Sequence, residues 1–185
     1  MAKGMLIDSK QMKGSNLEWI LRCAQKYDAN ELSKLRVLID GETEHMDREP
    51  GEDYLSEKDF EEVIMNDLLD ERGIFLVAEV HERIVGYARC KGKSLSRFKH
   101  QAEFGICILK EYWGCGIGKQ LLSAVIYWAD EIGIEKITLT VVETNTKAVQ
   151  LYKQFGFIQE GLLIRDRLHK DSKFYNTVIM ARFRS

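Results

Sequence analysis

One stretch, residues 106–122, constrains the fold of this 185-residue chain more than any other. It reads ICILKEYWGCGIGKQLL, so an apolar run passes through glycines at alternate positions and then becomes amphipathic. The glycines are Gly114, Gly116 and Gly118, and glycine permits positive φ and a close approach to the backbone. The pattern therefore predicts a strand, a glycine turn and an amphipathic helix in immediate succession.

A glycine turn that opens a helix suits an anion, because the first backbone N–H groups of a helix have no partner within it. The helix dipole adds partial positive charge there, which favours a phosphate or a diphosphate. A P-loop would need a glycine in place of Trp113 and a hydroxyl in place of Gln120, and a dinucleotide fingerprint would need a glycine in place of Lys119. Both motifs fail, and a structural turn without a ligand stays open as an alternative.

Length, charge and cysteine pattern narrow the class of protein. A chain of this size can bury a core without disulfides, and residues 17–185 are predicted to form one domain behind a flexible leader or edge strand at residues 1–16. The net charge of −2 argues against nucleic acid as a main partner. No apolar run reaches membrane-spanning length. The four cysteines form no C-x-x-C pair, which predicts reduced thiols, no metal site and a cytoplasmic location.

Hydrophobic patterns and cap signals give the order of elements. Helices are predicted after Asp28, with Glu31 completing a variant of the capping box, after Ser56, through the glycine turn, and after Asn145. Gly86 is predicted to mark a bulge or a close backbone approach. Strands are predicted at residues 17–24, 75–80, 84–90, 101–109, 135–143 and 174–182.

The glycine turn resembles motif A of the GCN5-related N-acetyltransferase (GNAT) family, [QR]-x-x-G-x-[GA], which wraps the diphosphate of acetyl-coenzyme A (acetyl-CoA). Gly116 and Gly118 match this motif, and Trp113 stands where Gln or Arg is usual. Residues 145–157, one strand downstream, resemble motif B of the same family, N-x-x-A-x-x-L-Y-x-x-x-G-F. The matching residues of motif B are Asn145, Ala148, Leu151, Tyr152, Gly156 and Phe157.

The resemblance implies an α/β protein with the GNAT acyl-CoA N-acyltransferase fold. That fold is a mixed central sheet of about seven strands flanked by about four helices, with splayed strands at the coenzyme site. The pantetheine arm of acetyl-CoA would lie along the strand that precedes the glycine turn, and Asn145 would also bind this arm. The strand residues are Ile106, Cys107 and Ile108, and the residues that would contact the diphosphate are Gly114, Cys115, Gly116, Ile117, Gly118 and Lys119.

Two catalytic roles follow from the resemblance and from the chemistry of amide formation. Tyr152 lies two helical turns after Asn145, so both project from one face, and Tyr152 would protonate the departing thiolate as general acid. An alkyl amine has a pKa near roughly 10.4, so its deprotonation needs help at neutral pH. Glu103 is the candidate general base, and His100 and Glu143 are the alternatives.

These inferences predict acetyl transfer from acetyl-CoA to the primary amine of a small, cationic acceptor through a direct ternary complex. Residues 40–71 carry fourteen acidic side chains against only Arg48 and Lys58, which predicts either solvated helix faces or a funnel for a cationic acceptor. The alternatives are a non-catalytic acetyl-CoA-binding domain and a protein N-terminal acetyltransferase, and Thr140 argues against a ribosomal-protein substrate because some such enzymes carry a glutamate there. A homodimer stays open, since dimers are frequent in the family.

Overall fold

The computed structural model describes residues 6–13 and 17–184, and within them eight strands form one sheet. The strands are β1 (Lys10–Lys13), β2 (Glu18–Cys23), β3 (Gly73–Val80), β4 (Arg83–Gly92), β5 (Gln101–Ile108), β6 (Lys136–Val142), β7 (Ile158–Leu168) and β8 (Phe174–Phe183). Their order across the sheet is β1-β2-β3-β4-β5-β6-β8-β7. Only the β5–β6 pair is parallel among these strands, so the predicted mixed sheet is confirmed.

Four α-helices flank the sheet in the described part of the chain. They are α1 (Ala29–Glu42), α2 (Glu57–Leu69), α3 (Ile117–Glu131) and α4 (Thr146–Gln154). Ser56 caps α2 by accepting a hydrogen bond from the Asp59 N–H, as predicted. Within this part of the chain, each helix is too short or too polar to cross a membrane.

Asp28 occupies the N-cap position of α1, as predicted, but its side chain makes no cap hydrogen bond, because long-range ion pairing takes that side chain. Asp28 is buried and accepts hydrogen bonds from both terminal nitrogens of Arg22, at 2.7 and 2.9 Å. It also accepts from the Gln25 N–H, one short turn before α1 begins. Glu31 does not complete a capping box either, since its carboxylate accepts from the Ile84 N–H at 2.7 Å.

The predicted leader falls partly outside the described residues. Residues 1–5 and 14–16 are not described, whereas Lys10–Lys13 pair with β2 as the edge strand of the sheet. The division into a leader at residues 1–16 and one domain at residues 17–185 stays a prediction.

Strands β5 and β6 separate soon after they begin, which confirms the predicted splay. They pair only at Gln101–Glu103 against residues 136–138, although β5 continues to Ile108 and β6 to Val142. Each strand keeps its other neighbour over that length, β4 for β5 and β8 for β6. The sheet therefore stays continuous on both sides of a wedge-shaped opening.

Gly86 allows β4 to lie close to the far end of β5. A Cβ atom at this position would lie 2.9 Å from the Cys107 carbonyl oxygen and 2.9 Å from Ile108 Cγ1. The β3–β4 register also shifts between Ala78 and Glu79, opposite Gly86, so the predicted bulge and close approach are both present. The absence of a side chain at Gly86 thus sets where one edge of the opening lies.

We predict that Gly86→Ala lowers the free energy of unfolding by about 1–3 kcal/mol, because the new methyl group must displace the backbone of β5. Urea unfolding measures the change. Gly105→Ala is the matched control, since a Cβ at Gly105 meets no atom within 4 Å. An unchanged urea midpoint for Gly86→Ala would contradict the role given to this glycine.

Candidate active site

The separation of β5 and β6 leaves an opening of about 1130 Å³ that passes through the sheet. Alternate residues of β5 face opposite sides of the sheet. On one side the ring of Phe104 meets Tyr152 of α4 edge-on, with centroids 6.3 Å apart. On the other side the Cys107 thiol contacts Met46 Sδ, in the α1–α2 connection, at 3.7 Å. The α3–α4 side and the α1–α2 side of the sheet therefore share one opening.

The glycine turn lies at the α3–α4 side and opens α3. Gly114 and Gly116 have φ of +81° and +87°, a region that favours glycine, and Gly116 is the N-cap residue. The first amide to bond back within α3 is that of Gln120, to the Gly116 carbonyl at 3.1 Å. The N–H groups of Ile117, Gly118 and Lys119 precede that bond, so they are available to an anion.

The sequence-predicted binding residues come together here with one exception. The opening is lined by all three predicted β5 residues, by Asn145 and by every predicted residue of the glycine turn except Cys115. The Cys115 side chain packs against the core, and its N–H donates to the Tyr112 carbonyl at 3.4 Å. Gly118 keeps α3 close to β5, because a Cβ there would lie 3.3 Å from Ile108 Cδ1.

Asn145 and Tyr152 lie at the two ends of one face of α4. The Asn145 carboxamide oxygen accepts from the Ala148 N–H at 3.3 Å, so this residue caps the helix as predicted. Tyr152 is buried yet lines the opening, and its hydroxyl has no hydrogen-bond partner among the described residues. Burial raises the pKa of Tyr152 well above its ordinary value, and the neighbouring Cys107 raises it further. The phenol therefore stays protonated throughout the neutral pH range.

Only one of the three candidate bases lines the opening. Glu103 lies on β5, on the same strand face as Cys107 and roughly 13 Å away from it along the strand. Glu143 is outside, with its carboxylate bonded to the backbone and side-chain nitrogens of Asn176 at 2.9 and 3.0 Å. His100 is exposed and does not line the opening either. The described residues contain no cluster of His, Cys, Asp or Glu able to hold a metal ion.

Trp113 joins the glycine turn to the α1–α2 connection, a role that the sequence did not suggest. Its indole N–H donates to the Ile108 carbonyl at 2.8 Å, at the end of β5. Its ring stacks on His45 with centroids 6.1 Å apart and 13° between the planes. The only signal for Trp113 in the sequence was that it departs from motif A, where Gln or Arg is usual.

The acidic stretch at residues 40–71 does not form the wall of the opening. Of its fourteen carboxylates only Asp47 lines the opening, and it is paired with Arg167. Several others pair with cationic side chains, most of which lie outside this stretch. These ion pairs are Asp40–Arg48, Glu44–His169, Glu49–Lys170, Asp53–Arg36, Glu61–Lys26 and Asp67 with both Arg89 and Lys91.

The fold and this opening define an α/β protein with an open mixed sheet, in which the separated strands β5 and β6 and the glycine turn line one large opening. The profile of the acetyltransferase (GNAT) family matches residues 39–157, more than half of the chain. The chain belongs to this family, as the two motifs implied.

Two curated relatives illustrate the range of the family. An L-amino acid N-acetyltransferase of Escherichia coli is 33% identical over 96 residues, which cover 51% of this chain and 59% of that protein. A spermidine N(1)-acetyltransferase of Vibrio cholerae is 31% identical over 93 residues, which cover 50% of this chain and 53% of that protein. The chain thus spans a little more than half the length of these curated relatives.

Solved structures match over almost the whole chain. An acetyltransferase of the GNAT family from Streptococcus pneumoniae has a TM-score of 0.86 and 29% identity, covering 90% of this chain and 99% of its own. The yncA protein from Salmonella typhimurium, solved with its cofactor acetyl-CoA, has a TM-score of 0.79 and covers 90% of this chain and 94% of its own. Its 18% identity makes it a comparison of fold alone.

We predict that the fluorescence of Trp113 reports the protonation of His45. Burial and the charge of His169 lower the pKa of His45, so the transition should have its midpoint below about 6.5. The other two tryptophans, Trp19 and Trp128, are buried. The emission spectrum, followed from pH 8 to pH 5, should change in the native protein and in a His100→Asn control. A transition that persists unchanged in His45→Asn would contradict this contact.

Proposed function

We propose that the protein transfers an acetyl group from acetyl-CoA to a primary amine of a small acceptor, through a direct ternary complex. The observation that carries the proposal is the Tyr152 hydroxyl, which has no partner among the described residues and lies in the opening between β5 and β6. The site has space on both sides of the sheet, so two substrates can meet at its centre.

The residues on the α3–α4 side fit acetyl-CoA. From Phe104 onward, β5 has no pairing with β6, so its backbone can bond to the amides of a pantetheine arm as an added strand would. The first amides of α3 suit the diphosphate, and Lys119 and Lys147 line the same side and add positive charge. Asn145 stands at the start of α4, where the arm would pass.

The chemistry balances with these residues. The neutral amine attacks the thioester carbon, the C–N bond forms, and the C–S bond breaks. The departing sulfur takes a proton from the Tyr152 hydroxyl, whose raised pKa keeps that proton in place beforehand. The proton lost by the amine passes to Glu103 through water, since this carboxylate lies too far along β5 for direct contact with a group beside Cys107. The Tyr152 phenolate then recovers its proton from solvent.

Tyr152 also bears on the two alternative functions. A domain that only binds acetyl-CoA has no need of a hydroxyl in the opening, so the position of Tyr152 supports turnover. A protein N-terminus as acceptor would need an open groove for several residues. In this protein three ion pairs join the α1–α2 connection to β7 and to the β7–β8 turn. Because these contacts hold the two segments together, they support a small acceptor.

The direct test is release of free coenzyme A thiol with a panel of amines under saturating acetyl-CoA. We expect turnover with at least one class of small primary amine. The proposal is overturned if acetyl-CoA binds, as judged by calorimetry, and no amine releases thiol.

Tyr152→Phe should lower kcat by about 10²–10⁴-fold, the usual contribution of a general acid. The dissociation constant for acetyl-CoA should change little, because the Tyr152 hydroxyl makes no hydrogen bond among the described residues and the ring is retained. Tyr127→Phe is the control, since Tyr127 is exposed on α3 and outside the opening. Equal losses in kcat and in acetyl-CoA affinity would argue against the general-acid role.

A further inference from the structure

The α1–α2 side of the opening is lined by cationic side chains, contrary to the expectation raised by the acidic stretch. Apart from the lysines of α3 and α4, the lining contains two carboxylates, Asp47 and Glu103. The cationic residues that line it are Arg36, Arg48, Arg89, Lys91, Lys93 and Arg167. His45 adds no charge near pH 7, because burial lowers its pKa.

Arg48 is the cation best placed to bind a ligand. Asp40 accepts hydrogen bonds from Nε and Nη2 of Arg48, both at 3.1 Å. The Asp40 side chain is 2% exposed and lies outside the lining, whereas that of Arg48 is 24% exposed and lies within it. A guanidinium has five N–H donors, so three remain on Arg48 without a partner among the described residues. Asp40 therefore holds the Arg48 guanidinium by its Nε and Nη2 atoms and leaves the remaining N–H donors for a ligand.

Arg48 also lines the opening beside the end of β5 that is separated from β6. Tyr87 and Cys107 face each other across β4 and β5, at the separated end of β5. Burial raises the pKa of both side chains, and the charges of Arg48 and Arg36 oppose that rise at each of them. Both arginines line the opening together with Tyr87 and Cys107, and Met46, two residues before Arg48, contacts the Cys107 thiol at 3.7 Å.

Arg36 reinforces the positive potential there. Its terminal nitrogens donate to the Asp53 carbonyl at 2.8 Å and to the Asp53 carboxylate at 3.0 Å. The Asp53 side chain is 79% exposed, so water screens its charge, while the Arg36 side chain is 8% exposed. The inner end of this pair is therefore positive towards the opening.

We propose that Arg48, with Arg36 beside it, binds a carboxylate carried by the amine acceptor. The substrate class is then small amines with a carboxylate next to the amino group, that is, α-amino acids and their close analogues. A guanidinium edge matches a carboxylate in shape and charge. A polyamine would instead bring a second ammonium group against two arginines. This inference rests on the acetyl-transfer function proposed above and assigns the acceptor half of the same site.

The experiment compares three acceptors with one side chain: an L-amino acid, its carboxamide and the corresponding decarboxylated amine. Thiol release under saturating acetyl-CoA gives kcat/KM for each, corrected for the fraction of neutral amine at the pH used. The native protein should prefer the amino acid by about tenfold or more over the other two, as expected for a charged hydrogen bond. Spermidine serves as the cationic comparison and should be the poorest substrate.

Arg48→Gln should reduce the preference for the amino acid to within about twofold of the amine, with the loss appearing mainly in KM. The double variant Asp40→Asn with Arg48→Gln should show the same loss without a buried unpaired carboxylate. Arg182→Gln is the matched control, because Arg182 also holds a carboxylate, that of Asp130, with two hydrogen bonds and lies outside the opening. It should keep the preference of the native protein.

Two outcomes overturn this inference while leaving acetyl transfer intact. One is better use of spermidine or of the decarboxylated amine than of the amino acid. The other is a preference for the amino acid that survives in both Arg48 variants. If acetyl-CoA binds and none of the amines is acetylated, the proposed function itself fails and the inference falls with it.

Discussion

The parting of β5 and β6 after three residue pairs is the constraint on which the site depends. Backbone N–H and C=O groups that lose a strand partner need another one. Each strand retains its outer neighbour, so the sheet is not broken, and only the inner edges from Phe104 and from Leu139 onward are left to a ligand. Gly86 and Gly118 permit the close packing on either side of this edge, because neither place has room for a Cβ without displacement of β5 or its side chains. The same opening gives access from both faces of the sheet, which a reaction between two substrates requires.

The elements with local signals could be predicted from the sequence. Ser56 and Asn145 cap their helices, and the glycine turn opens α3, because each depends on residues within one helical turn. Asp28 matched a cap pattern equally well, but its pairing with Arg22 of the neighbouring strand prevailed. Strand β7 had no predicted bounds, since most of its residues are exposed on both faces and no alternation of apolar and polar residues marks it.

The two halves of the site differ in the same way, since one has local sequence signals and the other depends on residues far apart in the chain. The glycine turn, Asn145 and Tyr152 could be predicted because their motifs are contiguous. The acceptor side could not, since it combines α1, the α1–α2 connection, β4 and β7. The role of the acidic stretch was predicted from composition alone. Which of its side chains face the opening depends on tertiary ion pairing, which composition does not show. The Asp40 carboxylate is buried and holds Arg48, and the guanidinium of Arg48 lines the opening. An acidic residue of the sequence thus contributes a positive charge to the opening through its partner.

The most direct test of this account is a crystal structure with an unreactive analogue of acetyl-CoA. We expect its diphosphate at the first amides of α3, its arm along the inner edge of β5, and its sulfur within hydrogen-bonding distance of the Tyr152 hydroxyl. An arm bound outside the opening, or a sulfur turned away from that hydroxyl, would contradict it.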